Sequence, residues 1–235
     1  MWSLILSLQV IFEWDQSFVG YMFGLDALPL ALSNIIAVVK MRTVGGYVPS
    51  FGGGTFKQRA TTQPPVTSQA LALVAQRWGV ERTRWALQLC FETLFVQNTW
   101  MYTQRREAPL MLVTYGASKY DAWAPDGTSA AAHPSGSLGE SGLDNGPLVE
   151  GAAPFNESGH LHQNQYSAGQ TGLFLMDAKA LMRIAAMLGD RSAAHAELKR
   201  RFDEVSALAL RWSILLFAFF CLLILFFVCS FYSCR

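Results

Sequence analysis

The stretch from residue 81 to residue 102 constrains the fold more than any other part of the chain. It has helical spacing, and its large apolar residues, Trp85, Leu89, Phe91, Leu94, Phe95 and Trp100, fall on more than one side of that helix. A helix that is apolar around much of its circumference must be surrounded, so this one needs neighbours on at least two faces. The neighbours are legible as well. Apolar spacing over 25–39 stops, after Lys40 and Arg42, at Gly45-Gly46, as expected where basic residues occupy a last turn and glycine follows. A second helix is predicted to begin after Pro64-Pro65, with Thr67 or Ser68 capping its free amides, and to end at Gly79. Helical spacing returns with Leu173, Ala180, Leu181, Ile184, Met187 and Leu188, closes at Gly189, and resumes with Leu198, Phe202, Val205 and Leu208. So short a turn between two helices predicts an antiparallel hairpin.

Between residues 115 and 170 the composition shifts to Gly, Ser, Ala, Pro and Asn without a sustained period of either kind, which reads as a long loop. Loops of that length inside compact domains are often functional. Helical pairs joined by Gly/Pro-marked loops, with almost no strand alternation, make an all-α bundle or toroid the expected class. An apolar fraction of 51% over 235 residues suits one sizeable core and argues against disorder. The formal charge of +1, from 18 basic and 17 acidic residues, offers no broad basic surface for phosphates, so nucleic acid is not an expected partner.

The two ends differ in character. Residues 1–12 are apolar but lack a basic n-region, and no small-residue cleavage site precedes Glu13, Trp14 and Asp15, so they read as mature structure rather than a signal peptide. The run opened by Trp212 and closed by Cys234 contains 23 residues and no charge, and it is apolar without a break over 214–229. That is long enough for a transmembrane helix, and membrane insertion is the expectation. Lys199, Arg200, Arg201 and Arg211 precede the run and only Arg235 follows it, a bias that would keep the N-terminal body in the cytosol. Cys221, Cys229 and Cys234 lie in this run, and together with Cys90 they show neither a disulfide framework nor the spacing of a zinc site. Asn156-Glu157-Ser158 fits the N-glycosylation acceptor pattern, which matters only in the secretory pathway.

The segment Gly139-Glu140-Ser141-Gly142-Leu143-Asp144-Asn145-Gly146-Pro147 carries the chemistry. It sets two carboxylates, Glu140 and Asp144, on a turn whose glycines and proline prevent regular helix, so both can face a cleft. A carboxyl group shielded from water there has its pKa raised and can hold a proton for a leaving glycosidic oxygen. Taken bare, Asp-Asn-Gly-Pro is also a common turn composition. His160-Leu161-His162 lacks a third ligand at useful spacing, so a solvated loop is the simpler reading and no metal is expected. Gly52-Gly53-Gly54 with Lys57 lacks the Gly-Lys-Ser/Thr ending and the preceding strand of a phosphate loop.

Glu140-Ser141-Gly142-Leu143-Asp144-Asn145-Gly146-Pro147 resembles the Glu-Ser-Gly-x-Asp-Asn-Ser-Pro signature of family 63 glycoside hydrolases. That family includes the processing mannosyl-oligosaccharide glucosidases and bacterial relatives acting on small glucosides and mannosylglycerate. Two upstream segments are similar in order and spacing. Phe12-Glu13-Trp14-Asp15-Gln16-Ser17-Phe18 resembles the family's Trp-Asp-x-x-Phe element and is followed by a helix containing Asp26. Gly45-Gly46-Tyr47-Val48-Pro49 and Thr62-Gln63-Pro64-Pro65-Val66 resemble its Gly-x-Ile-Pro and Ser/Thr-Gln-Pro-Pro elements. The resemblance covers residues 12 to about 210.

The resemblance implies a partial (α/α)6 barrel glycosidase domain over residues 1–210 with long active-site loops, to which the apolar run adds an expected hydrophobic helix over 212–234. It implies Asp144 as proton donor and places Trp14, Asp15 and Gln63 in the sugar pocket, with Glu140 and Asn145 beside them as substrate contacts. A flat indole can stack on a pyranose while carboxylate and amide groups bind its hydroxyls. For Glu140 a turn-stabilising role is equally open, and Gly146 departs from the family in replacing a small hydroxyl residue. Family 63 enzymes invert, which requires a second carboxylate roughly 6.5–9.5 Å from the acid. The family's base belongs to a motif beyond the matched stretch, so the expectation is that these residues do not include it. The substrate expected is an oligosaccharide or small glycoside losing a terminal sugar, with no cofactor. A processing glucosidase would sit in the endoplasmic reticulum membrane with its body in the lumen, opposite to the orientation the basic residues suggest. Since the resemblance fades near Leu210, the tail reads either as a gene-model or transcript artefact or as a true anchor. A non-catalytic, membrane-anchored sugar-binding or structural protein is the rival reading.

Overall fold

The computed structural model describes residues 10–53, 56–57, 61–116, 139–142, 155–156 and 162–233, with the backbone alone at 56, 139, 155–156, 162–165 and 215–233. Helices dominate: α1 (Glu13–Phe23), α2 (Leu28–Lys40), α3 (Thr67–Trp78), α4 (Val80–Gln104), α5 (Ala168–Leu188) and α6 (Ser192–Ser233). The all-α class therefore holds in its coarse form.

As its composition requires, α4 is enclosed on several sides. Its Ala86, Leu87, Cys90, Phe91 and Leu94 join Leu32 and Ile35 of α2, Leu71 and Val74 of α3, Leu181 and Ile184 of α5, and Leu198 of α6 in one core. A fully buried Leu or Ile contributes roughly 1.5–3 kcal/mol, so this cluster is the main source of stability. Enclosure is incomplete, however, because Trp85 and Leu89 remain about half exposed. α1 lies across α2 through Gly20, where a β-carbon would approach Ile35 Cγ1 to 2.9 Å; the missing side chain permits that close crossing. The Trp78 indole and the Arg77 guanidinium donate to the carbonyls of Gly24 and Leu25, satisfying groups just past the end of α1.

The predicted hairpin of α5 and α6 is present, with Gly189 in the left-handed conformation closing α5. At the other end of α5, the Ser167 hydroxyl accepts from the Gln170 backbone N–H, a side-chain cap. The start of α3 departs from expectation. Its N-cap position is Val66 and no side chain caps it. Thr67 instead shares a hydrogen bond with Ser17 of α1, since a hydroxyl buried between two helices finds a partner across the interface rather than on its own backbone.

Two small antiparallel sheets were not legible. β1 (Ile11–Phe12), β2 (Phe51–Gly53) and β3 (Phe56–Lys57) form one in the order β1-β2-β3. β4 (Arg106–Glu107), β5 (Leu112–Gly116), β6 (Phe155–Asn156) and β7 (His162–Tyr166) form the other in the order β4-β5-β7-β6. Their strands are only two to five residues long. β7 reads His-Gln-Asn-Gln-Tyr, which has no apolar alternation to betray it. The stretch read as one long loop thus contains the end of β5 and all of β6 and β7.

The expected membrane helix also needs restating. The backbone of α6 continues through residues 212–233, but among the described residues no helix is long and apolar enough to cross a membrane. The side chains of the run from residue 215 onward lie outside the described residues.

Candidate functional site

Three sequence segments far apart in the chain converge at the N-terminus of α1. The first supplies Glu13, Trp14 and Asp15, which open the helix. Glu13 is fully buried, Trp14 half-buried and Asp15 exposed. Trp14 leans on Phe18 one turn later, with ring centroids 5.8 Å apart.

The second segment is Thr62-Gln63. The Gln63 side-chain oxygen accepts from the Trp14 backbone N–H at 3.1 Å, satisfying one of the free amides at the helix start. In return, Glu13 Oε2 accepts from the Gln63 N–H at 3.0 Å and from the Thr62 hydroxyl at 2.8 Å. Gln97 of α4 completes the set, donating from Nε2 to Glu13 Oε1 at 2.6 Å. Burial pushes the Glu13 carboxyl up to about 8, against the three donors that favour its charge, and the charge of Asp177 adds to the rise. Asp177 on α5 is likewise buried and pushed up to about 7, against the pull of Ser68 and of Asn98, whose amide donates to it at 2.8 Å.

The third segment is a 3-10 turn, Gly139–Ser141. Glu140 has no exposure and accepts four hydrogen bonds. Arg105 embraces it with Nε to Oε2 at 2.7 Å and Nη2 to Oε1 at 3.1 Å, while the backbone N–H of Thr62 and of Gly116 donate at 3.2 and 2.6 Å. Of the two roles open to Glu140, this geometry gives the turn-holding one. A carboxylate with every acceptor direction filled and no surface has nothing left for a sugar hydroxyl. Arg105 is itself buried and stacks on Trp100 at 4.3 Å, and Trp100 lies 4.4 Å from the Tyr47 ring. The Gly45-Gly46-Tyr47 segment is thereby tied into the same assembly.

Gly142 follows the turn with φ +70, and a β-carbon there would stand 2.6 Å from the Trp14 indole. The turn therefore rests directly on the indole. Gly142→Ala is expected to destabilise the fold by at least about 1–2 kcal/mol, the cost of an L-residue in the left-handed region, and to displace Trp14. Urea unfolding and the near-ultraviolet circular dichroism of the indole check this; an unfolding free energy and spectrum equal to wild type would show that the turn does not rest there.

The predicted residues thus sort into three groups. Trp14, Asp15, Gln63 and Glu140 come together, with Gln63 and Glu140 acting as internal supports and Trp14 and Asp15 reaching the surface. Asp144 and Asn145 lie outside the described residues, beginning two positions after Gly142. Asn156 lies in β6, paired with His162 of β7, and its side chain is likewise outside them. Sequence reasoning missed Glu13, Thr62, Gln97 and Arg105. Glu13 and Thr62 stood inside quoted motifs and gave a signal of a kind, whereas nothing in the sequence singles out Gln97 or pairs Arg105 with Glu140. No protein-family model and no curated protein sequence matches the chain.

Proposed function

We propose that the surface built by Trp14, Asp15 and the turn leading to Asp144 is the sugar site of an inverting glycoside hydrolase of the α-glucosidase kind, removing a terminal sugar from an oligosaccharide or small glycoside. The observation that carries this reading is the convergence: the Trp-Asp, Gln-Pro-Pro and Glu-Ser-Gly segments, which resemble elements of one family, interlock through Trp14, Gln63, Thr62, Glu140 and Gly142. The half-buried indole offers an apolar face for a pyranose, and the exposed Asp15 carboxylate beside it can accept from sugar hydroxyls. In this reading Asp144 protonates the leaving oxygen, and the carboxylate that activates water is not identified among the described residues. The finer (α/α)6 barrel architecture belongs to the same proposal.

Titration of the chain with glucose, an alkyl α-glucoside and a disaccharide, followed by tryptophan emission, tests it. The expected result is a saturable change at millimolar sugar that Trp14→Ala abolishes. Binding unaltered in Trp14→Ala, or no response to any of the three sugars, would contradict the reading.

A further inference from the structure

Beneath Trp14 the core holds more acid than its cations neutralise. Three carboxyl groups, Glu13, Glu140 and Asp177, are buried outright. Glu140 has Arg105 against both oxygens. Among the described residues the other two receive only neutral donors: Gln97, Thr62 and Gln63 serve Glu13, and Asn98 serves Asp177. Another buried guanidinium, Arg201 of α6, is engaged by Asn98 Oδ1, Thr99 and Glu197. Gln97 and Asn98 are consecutive on α4, so one stretch of that helix serves both acids, and the charge of Asp177 acts on Glu13 through the core between them. The other charged groups around Glu13 are Glu140 and Arg105, reached through Thr62. From α3 come only Thr67 and Ser68, which do not titrate, and Asp15 on the same helix is exposed.

Two carboxylates in one dry core without a cation between them are a costly state, and retaining a proton relieves it. The geometry accommodates that proton. The Gln97 amide can turn its oxygen toward Glu13 and accept from a protonated Oε1, while Thr62 and Gln63 continue to donate to Oε2.

We propose that the buried Glu13 and Asp177 carboxyls, each served by a neutral amide of α4, store a proton at neutral pH and work as a pH-sensitive latch on the start of α1. Loss of the proton leaves two anions in one dry core: the donors from Thr62, Gln63 and Gln97 hold the Glu13 anion but do not offset the cost of keeping it from water beside Asp177, so the packing under the start of α1 weakens. The direction follows from linkage. Groups whose folded pKa is raised stabilise fully below their unfolded pKa and lose that contribution as pH rises through the folded value. With Glu13 raised from 4.5 to about 8 and Asp177 from 3.8 to about 7, stability falls as pH climbs from the mid-fours to about 8.

Equilibrium urea unfolding of the full chain across that window should show the folding constant dropping on the order of a hundredfold or more. Glu13→Gln supplies a neutral isostere of the protonated acid, and the drop should shrink at least about tenfold in it. Should that variant fail to fold, Asp177→Asn read the same way and the infrared C=O band of a protonated carboxyl in wild type, shifted by deuteration, decide the matter. A flat wild-type profile, a Glu13→Gln profile parallel to wild type, or absence of that band at neutral pH would overturn the latch.

Discussion

Glu140→Ala is expected to cost about 3–5 kcal/mol of folding stability, the range seen when one partner of a buried ion pair is removed. Arg105 would be left charged, 2% exposed and fixed against Trp100, with no acceptor for the Nε and Nη2 donors that now meet Glu140. The Thr62 and Gly116 amides would lose their acceptor as well. The pair itself need not add much net stability, because bringing both charges out of water offsets most of their attraction. A double-mutant cycle separates the two statements: Glu140→Ala with Arg105→Met should be markedly less destabilised than the sum of the single variants, since it leaves no orphaned charge. Urea unfolding of the four proteins is the measurement. Additive losses would mean that the two side chains do not act as a unit.

Asp144→Asn carries the second large effect. In whichever form of this protein hydrolyses glycosides, the substitution should leave folding intact and lower kcat by about 10²–10⁴-fold, the usual contribution of general acid catalysis, because an amide has no acidic proton to give. The turn that precedes it in the sequence is firmly held: Glu140 accepts from four donors and Gly142 sits on Trp14. Substrates with a good leaving group should be much less affected than those with a poor one, which distinguishes loss of the acid from general damage to the site. Activity within about a factor of two of wild type on poor leaving groups would remove Asp144 from the mechanism.

Most of the helices were legible because they announce themselves locally; α1 was not read from the sequence, and Asp26, expected in a helix, lies in the turn between α1 and α2. Apolar spacing marks α2, α4, α5 and the first half of α6, and Gly79 and Gly189 stop α3 and α5 at positive φ. The strands were not, because β1, β3, β4 and β6 are two residues long and β7 is polar, so pairing across the chain rather than composition makes them strands. The same division runs through the site. Trp14, Asp15 and Gln63 could be named from motifs, and they do lie together. What holds them there could not be read. Arg105 is separated from Glu140 by 35 positions and Gln97 from Glu13 by 84, and hydrogen bonds over such distances leave no periodic trace. Glu140 shows the converse error that sequence invites. A carboxylate inside a segment that resembles a catalytic motif looks like a ligand for substrate, yet burial and four internal donors make it a support.

In the proposed site the indole of Trp14 and the carboxyl of Asp144 flank one sugar. A crystal structure of the protein soaked with a non-hydrolysable α-glucoside analogue is expected to show a pyranose ring against Trp14, its hydroxyls within reach of Asp15, and an Asp144 carboxyl oxygen about 2.6–3.2 Å from the glycosidic atom. A sugar bound away from Trp14, or an Asp144 carboxyl turned out of reach of the bond to be cleaved, would contradict it.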